Sequence, residues 1–211
     1  MGERDIIFMN GMPGSGTSRL GRALVEELSP DITTEHISVG NRIRQIGRGA
    51  LHSPYQQAVL DHLNGDKIHT PLHDEIVYGI VVEALERYDE TQLILLDGYP
   101  RYQHQVEASQ LLAIIDWRTL HGMIITETDT ETALARMILR GERDVNRTIT
   151  PAQASDRLDT FLLSFEAVKY ECERRHIPIK TVDTGGSRTV STHLGLQAVK
   201  DLLDNPTLHF K

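Results

Sequence analysis

Short apolar runs punctuate the chain at Ile6–Met9, His36–Ser38, Leu93–Leu96, Met123–Thr126 and Ile179–Val182. They are compact and mostly continuous rather than alternating, the pattern of strands buried on both faces of a sheet. Between them, helical patterns span Ser18–Leu28, Pro54–Leu63, Asp74–Tyr88, Gln103–Ile115, Thr130–Leu139, Ala152–Arg175 and Val190–Leu203. Thr150-Pro151 is a helix start, with a capping hydroxyl followed by a proline that needs no N–H in the first turn. Strand-then-helix order repeated along the chain predicts an α/β fold with five parallel strands and right-handed crossovers. Ligands of such sheets gather at the carboxyl ends of the strands. Gly11–Ser18, Ser38–Arg44 and Asp97–Arg101 each follow a strand, so all three are expected to face one cleft. No repeat, low-complexity tract or linker interrupts the pattern, and residues 1–211 read as one domain.

The segment after the first strand is Gly11-Met-Pro-Gly-Ser-Gly-Thr-Ser18. Its spacing is that of a phosphate-binding P-loop, in which glycines let successive N–H groups turn inward and the following helix adds its positive end. Gly11, Pro13, Gly14, Ser15, Gly16, Thr17 and Ser18 are therefore candidate triphosphate contacts. Ser18 supplies the hydroxyl suited to Mg²⁺. The position of the usual lysine holds Thr17, which offers a hydroxyl in place of a mobile cation. Arg19 is nearby, but at about 100° per residue it projects roughly opposite Thr17. An arginine of the later charged segment, Arg143 or Arg147, is expected to substitute in part, ahead of Arg19.

After the third strand comes Asp97-Gly-Tyr-Pro-Arg101. An aspartate ending an apolar strand can hold a Mg²⁺-bound water. Arg101 then offers a planar fork for phosphate.

Bulk properties narrow the classes. Net charge is −8, which argues against a nucleic-acid coat or a membrane-surface protein, so any phosphate site must concentrate its arginines locally. One cysteine, Cys172, excludes an internal disulfide framework and points to a reducing, cytoplasmic setting. No apolar run reaches transmembrane length, and no signal-peptide pattern opens the chain. The ten histidines are scattered without metal-ligand spacing.

Taken with the glycine-rich loop, Leu96-Asp97-Gly98-Tyr99-Pro100-Arg101 resembles the signature of the adenylate kinase family of nucleoside monophosphate kinases, in its short-lid form. The resemblance extends over nearly the whole chain. It implies a P-loop NTPase-type three-layer α/β/α fold with a helical monophosphate-binding segment at about 38–72 and a lid at about 140–151. It implies Mg²⁺-dependent transfer of a phosphoryl group from ATP to AMP, by a monomer expected to bind neither membrane nor nucleic acid. By the same resemblance, Ser38, Val39, Arg44, Ile68, Gly98, Arg101 and Gln105 line the monophosphate site. Gln105 matches the reader of the adenine. Arg136 and Arg140, before the lid, and Arg157, after it, match phosphate-binding arginines that act in catalysis with Arg101. Arg136 and Gly186, in Asp183-Thr-Gly-Gly186, match positions at the ATP site.

The chain departs from the family at several points. Thr17 replaces the lysine, Val39 a threonine that contacts the base, and Asn41 an aspartate. The lid reads Gly141-Glu-Arg-Asp-Val-Asn-Arg147, leaving Arg143 and Arg147 as alternative lid arginines. Three readings follow: an active kinase with an altered phosphate site, a nucleotide-binding module with little turnover, or a kinase for another monophosphate.

Overall fold

A computed structural model describes residues 5–64, 72–88, 91–107, 118–143 and 149–204. Five strands form one sheet: β1 (Asp5–Gly11), β2 (Thr34–Ser38), β3 (Leu93–Asp97), β4 (Thr119–Glu127) and β5 (Ile179–Asp183). Their order is β2-β3-β1-β4-β5, and every pairing is parallel. The described helices are α1 (Thr17–Leu28), α2 (Val39–Gly47), α3 (Gln56–Asn64), α4 (Asp74–Arg87), α5 (Gln103–Glu107), α6 (Thr130–Arg143), α7 (Pro151–Arg174) and α8 (Arg188–Leu203). This is the expected three-layer arrangement.

Successive strand residues point to opposite faces, and the apolar runs divide accordingly. Ile6 and Phe8 of β1, Ile94 and Leu96 of β3, and Met123 and Ile125 of β4 meet Val81, Val106, Phe161, Phe165 and Val168 on one face. Ile7 and Met9, Leu93 and Leu95, and Ile124 meet Leu20, Leu24, Ala198, Val199 and Leu202 on the other. Both faces are covered, so the strands carry continuous apolar sequence. A smaller cluster of Ile46, Val59 and Ile80 holds α2, α3 and α4 together beside the sheet.

Most elements lie where the pattern places them, with some ends displaced. α2 is the substantive addition: the hydrophobic pattern by itself assigned no helix to Ser38–Arg44, and one starts immediately after β2. Gly40 and Asn41 are poor helix formers and mask a short amphipathic repeat. Val39 and Ile46, one face of that repeat, are buried. α7 begins at the expected proline, and Thr150 and Gln153 form a reciprocal capping box. Among the described residues no helix is long and apolar enough to cross a membrane.

Cys172 lies in the core on α7 with no solvent exposure. Burial and the adjacent Glu171 carboxylate push its thiol up to about 12. The free thiol of an unfolded chain ionises near 8.5, so stability linked to this group is intact below that pH and declines as pH rises toward the folded value. The native protein should leave an aromatic disulfide reagent unreacted at about pH 8. One equivalent should react after unfolding in guanidinium. Rapid reaction of the native protein would contradict this burial.

Candidate nucleotide site

β1 runs into the glycine loop, and α1 begins at Thr17. Gly14 and Gly16 have φ of 90° and 95°, a region other residues enter only under strain. A Cβ on Gly11 would lie 2.2 Å from Thr126 Oγ1, and one on Gly14 would lie 2.2 Å from the Ala133 carbonyl oxygen. The loop is therefore wedged between the end of β4 and the start of α6. Gly16 caps α1 without a side-chain hydrogen bond, leaving first-turn N–H groups and the positive end of the helix for an anion.

Thr17 turns inward. Its Oγ1 lies 2.7 Å from Thr126 Oγ1, which lies 2.7 Å from Ser15 Oγ, and the Thr17 and Ser15 hydroxyls are 3.3 Å apart. Thr126 also donates to the Asn10 carbonyl at 3.3 Å. All three hydroxyls are buried, and their mutual bonding offsets the cost of desolvating them. The side chain at the lysine position thus serves the underside of the loop. The signal for Thr126 in the sequence was a hydroxyl closing an otherwise apolar strand run.

Ser18 faces the other way and donates to Asp97 Oδ2 at 2.5 Å. The two residues follow adjacent strands, since Met9 of β1 pairs with Asp97 of β3. His36 Nε2 sits 3.2 Å from the same carboxylate oxygen. Asp97 is almost fully buried, which by itself raises its pKa. The hydrogen bond and charge of His36, the Ser18 hydroxyl and the Arg101 guanidinium outweigh burial and hold the carboxyl below its usual range. Two hard oxygens in contact, one from an ionised carboxylate, suit Mg²⁺, which takes few protein ligands and completes its shell with water and phosphate. His36 belongs to this group but has no motif of its own: it is one apolar-strand histidine among ten.

The turn after Asp97 is fixed by Gly98, at φ 86°, whose N–H donates to the Met9 carbonyl at 3.0 Å. The Tyr99-Pro100 peptide is cis. Asn10 Nδ2 donates to the Pro100 carbonyl at 2.5 Å, tying the turn to β1. Arg101 follows, exposed, with Nη2 3.2 Å from the Cβ position of Gly98. Arg157 of α7 is its electrostatic neighbour: burial, then the Arg101 charge, lowers the Arg157 pKa.

Arg136 of α6 donates through Nη2 to the Thr184 carbonyl at 2.9 Å, and Arg19 Nη2 reaches the same oxygen at 3.5 Å. Arg19 therefore does lie over the loop, contrary to expectation. Its opposition to Thr17 around the helix is as predicted. Because Thr17 faces inward, the opposite side is the open mouth of the loop, and helical side chains lean toward the N-terminus. Thr184 went unmarked beside its glycines, while Gly186 stands in open space. Arg140 is exposed on α6 and makes contacts of its own, as does Arg44 on α2.

Gln105 is buried with both ends of its amide engaged. Oε1 accepts from the Arg101 N–H at 2.7 Å, and Nε2 donates to Asp74 Oδ1 at 2.5 Å. His104 contacts the other Asp74 oxygen and stacks on Tyr102 with ring centroids 5.6 Å apart. Leu72, His73, Asp74, Tyr102 and His104 line a cavity of about 260 Å³. Ser38 caps α2 without a side-chain bond, and Val39 is buried in the core rather than presented to a ligand. Ile68, Arg147 and the side chain of Arg143 lie outside the described residues.

A family model described as an AAA domain matches residues 10–151. Adenylate kinase 1 of Synechocystis sp. is 31% identical over 147 residues, 69% of this chain and 72% of its own length. The adenylate kinase of Micrococcus luteus is 30% identical over 194 residues, 92% of this chain and 89% of its own length. A glycine loop of phosphate-loop geometry, an aspartate-led turn on the adjacent strand, and a relative 30% identical over 92% of the chain lead to one assignment: the chain belongs to the adenylate kinase family of P-loop kinases.

Proposed function

We propose that this protein is a Mg²⁺-dependent nucleoside monophosphate kinase that converts ATP and AMP into two ADP. The observation that carries this reading is the 2.5 Å contact of Ser18 with Asp97 at the mouth of the glycine loop. It joins the phosphate loop to the turn bearing Arg101, as a site handling two phosphate groups requires. The names of the relatives supply the adenylate acceptor.

In the proposed reaction the loop N–H groups at 11–18 hold the donor phosphates. Arg101 and Arg157 approach the acceptor phosphate together with Arg44 of α2. An acceptor oxygen forms the bond to the γ-phosphorus as the bond from that phosphorus to the β,γ-bridging oxygen breaks, and the electron pair leaves on ADP. The acceptor oxygen is already anionic, so no general base is required. Ser18 and, through water, Asp97 would hold Mg²⁺, whose chemistry is to neutralise the phosphate oxygens. Arg136 and Arg140, at the end of α6, close the donor side and help exclude water. Gln105 positions the Arg101 backbone directly and leaves one N–H for the acceptor base.

A second reading is a nucleotide-binding protein with little turnover, and the burial of Thr17 among hydroxyls favours it. Coupled turnover of ATP with AMP and Mg²⁺ separates the two. Turnover that Asp97→Asn reduces on the order of 10²-fold or more is expected of the kinase. Tight ATP binding with no turnover would establish the second reading.

A further inference from the structure

The geometry points to Arg19 as the catalytic cation of the donor-phosphate site, taking the place of the missing lysine in concert with Arg136. This inference rests on the kinase reading for its mechanism, but its binding arm does not. Arg19 Nε and Nη2 each lie 3.9 Å, and Arg136 Nη1 4.0 Å, from the Cβ position of Gly16, the residue that caps α1. Two guanidinium groups thus converge on the place where the uncapped helix end meets the loop. Both are anchored on a single acceptor, the Thr184 carbonyl. Thr184 is itself fixed: its N–H donates to the Glu127 carbonyl at 2.8 Å, and its one hydroxyl proton is shared between that carbonyl, 2.7 Å from Oγ1, and the Ser15 carbonyl.

One carbonyl cannot satisfy two cations. Arg136 Nη1 is buried without a hydrogen-bond partner among the described residues. Burial and the charges of Arg136 and Arg188 lower the Arg19 pKa, so the neighbourhood as it stands disfavours positive charge. Arg188 is engaged by Glu26 at 2.5 Å. Among the described residues no carboxylate forms a contact ion pair with Arg19 or Arg136, although the exposed Asp129 feels the Arg136 charge. A polyphosphate in the loop supplies the direct counter-charge. Arginine suits the task because its donors form a rigid fork that engages two phosphate oxygens, where a lysine offers a point charge. The fork also explains how Thr17 came to be free to turn inward: the cation enters from two residues further along α1.

The test uses the full chain with Arg19→Ala and Arg19→Gln, the second keeping most of the side-chain stem. Arg22→Ala is the control, removing an exposed charge from the same helix. Turnover is measured with ATP, AMP and Mg²⁺, and binding of inorganic tripolyphosphate by calorimetry. Thermal melting verifies folding. Both Arg19 variants are expected to lose turnover on the order of 10²-fold with the KM for AMP unchanged. They should bind tripolyphosphate at least about tenfold more weakly, equivalent to about 1.4 kcal/mol. Arg22→Ala should match the wild type in both. If the wild type shows no turnover, the kinase reading fails, while weaker tripolyphosphate binding by the Arg19 variants alone still supports the site. Wild-type turnover and tripolyphosphate affinity retained within about twofold in folded Arg19 variants would overturn the assignment. So would a wild type that binds no tripolyphosphate, or equal losses in Arg22→Ala.

Discussion

Arg101→Ala should lower turnover of ATP with AMP on the order of 10²–10³-fold while leaving the unfolding midpoint almost unchanged. The side chain is exposed and lies over Gly98, next to the Asp97 carboxylate and the Arg157 guanidinium. Its structural duty is carried by its backbone N–H, which Gln105 accepts, and alanine retains that bond. What alanine removes is a preorganised fork at the end of β3, where the proposed acceptor phosphate gathers charge. Arg101→Lys should recover only part of the loss, because an ammonium restores charge without the paired donors. Full turnover by the alanine variant would exclude Arg101 from the reaction. A large fall in stability with turnover preserved would reassign it to the scaffold.

Gly14→Ala is expected to destabilise the protein by about 2–5 kcal/mol, a substantial part of the 5–15 kcal/mol typical of a folded domain. Two causes add. The φ of 90° strains any residue with a Cβ, and that Cβ would sit 2.2 Å from the Ala133 carbonyl oxygen and 2.9 Å from its Cα. These are backbone atoms of the first turn of α6 and cannot rotate aside. Gly186→Ala is the matched comparison: nothing lies within 4 Å of the added atom, so its effect should stay within about 0.5 kcal/mol. Urea midpoints at constant m-value read both directly. Equal midpoints for the two variants would contradict the wedged placement of the loop.

The strands and their parallel order were legible because a sheet covered on both faces leaves continuous apolar runs, and those runs are short enough to separate from the helices. α2 was not, since Gly40 and Asn41 carry no helical preference and the helix is held by Ile46 packing on Val59 and Ile80, a tertiary contact. In the candidate site, motif spacing brought Gly11–Ser18 and Asp97–Arg101 together correctly. It was silent on direction. Whether Thr17 looks toward a phosphate or away from it depends on Thr126, more than a hundred residues later. The same holds for Arg19, whose angular position was right but whose surroundings could be judged only once Thr184 and Arg136 had been placed beside it. Motifs encode which backbone is present; the partners of a side chain come from other strands and leave no local trace.

Among the described residues β5 lies at the edge of the sheet and pairs only with β4, the position from which a sheet ordinarily frays. The Thr184 side chain changes that. With its one hydroxyl proton shared between the Ser15 and Glu127 carbonyls, it fastens the end of the edge strand to the glycine loop at the sheet's centre. Peeling β5 from the sheet therefore releases the loop in the same event. The fluctuation that exposes the edge to aggregation is the one that a nucleotide bound in the loop would suppress.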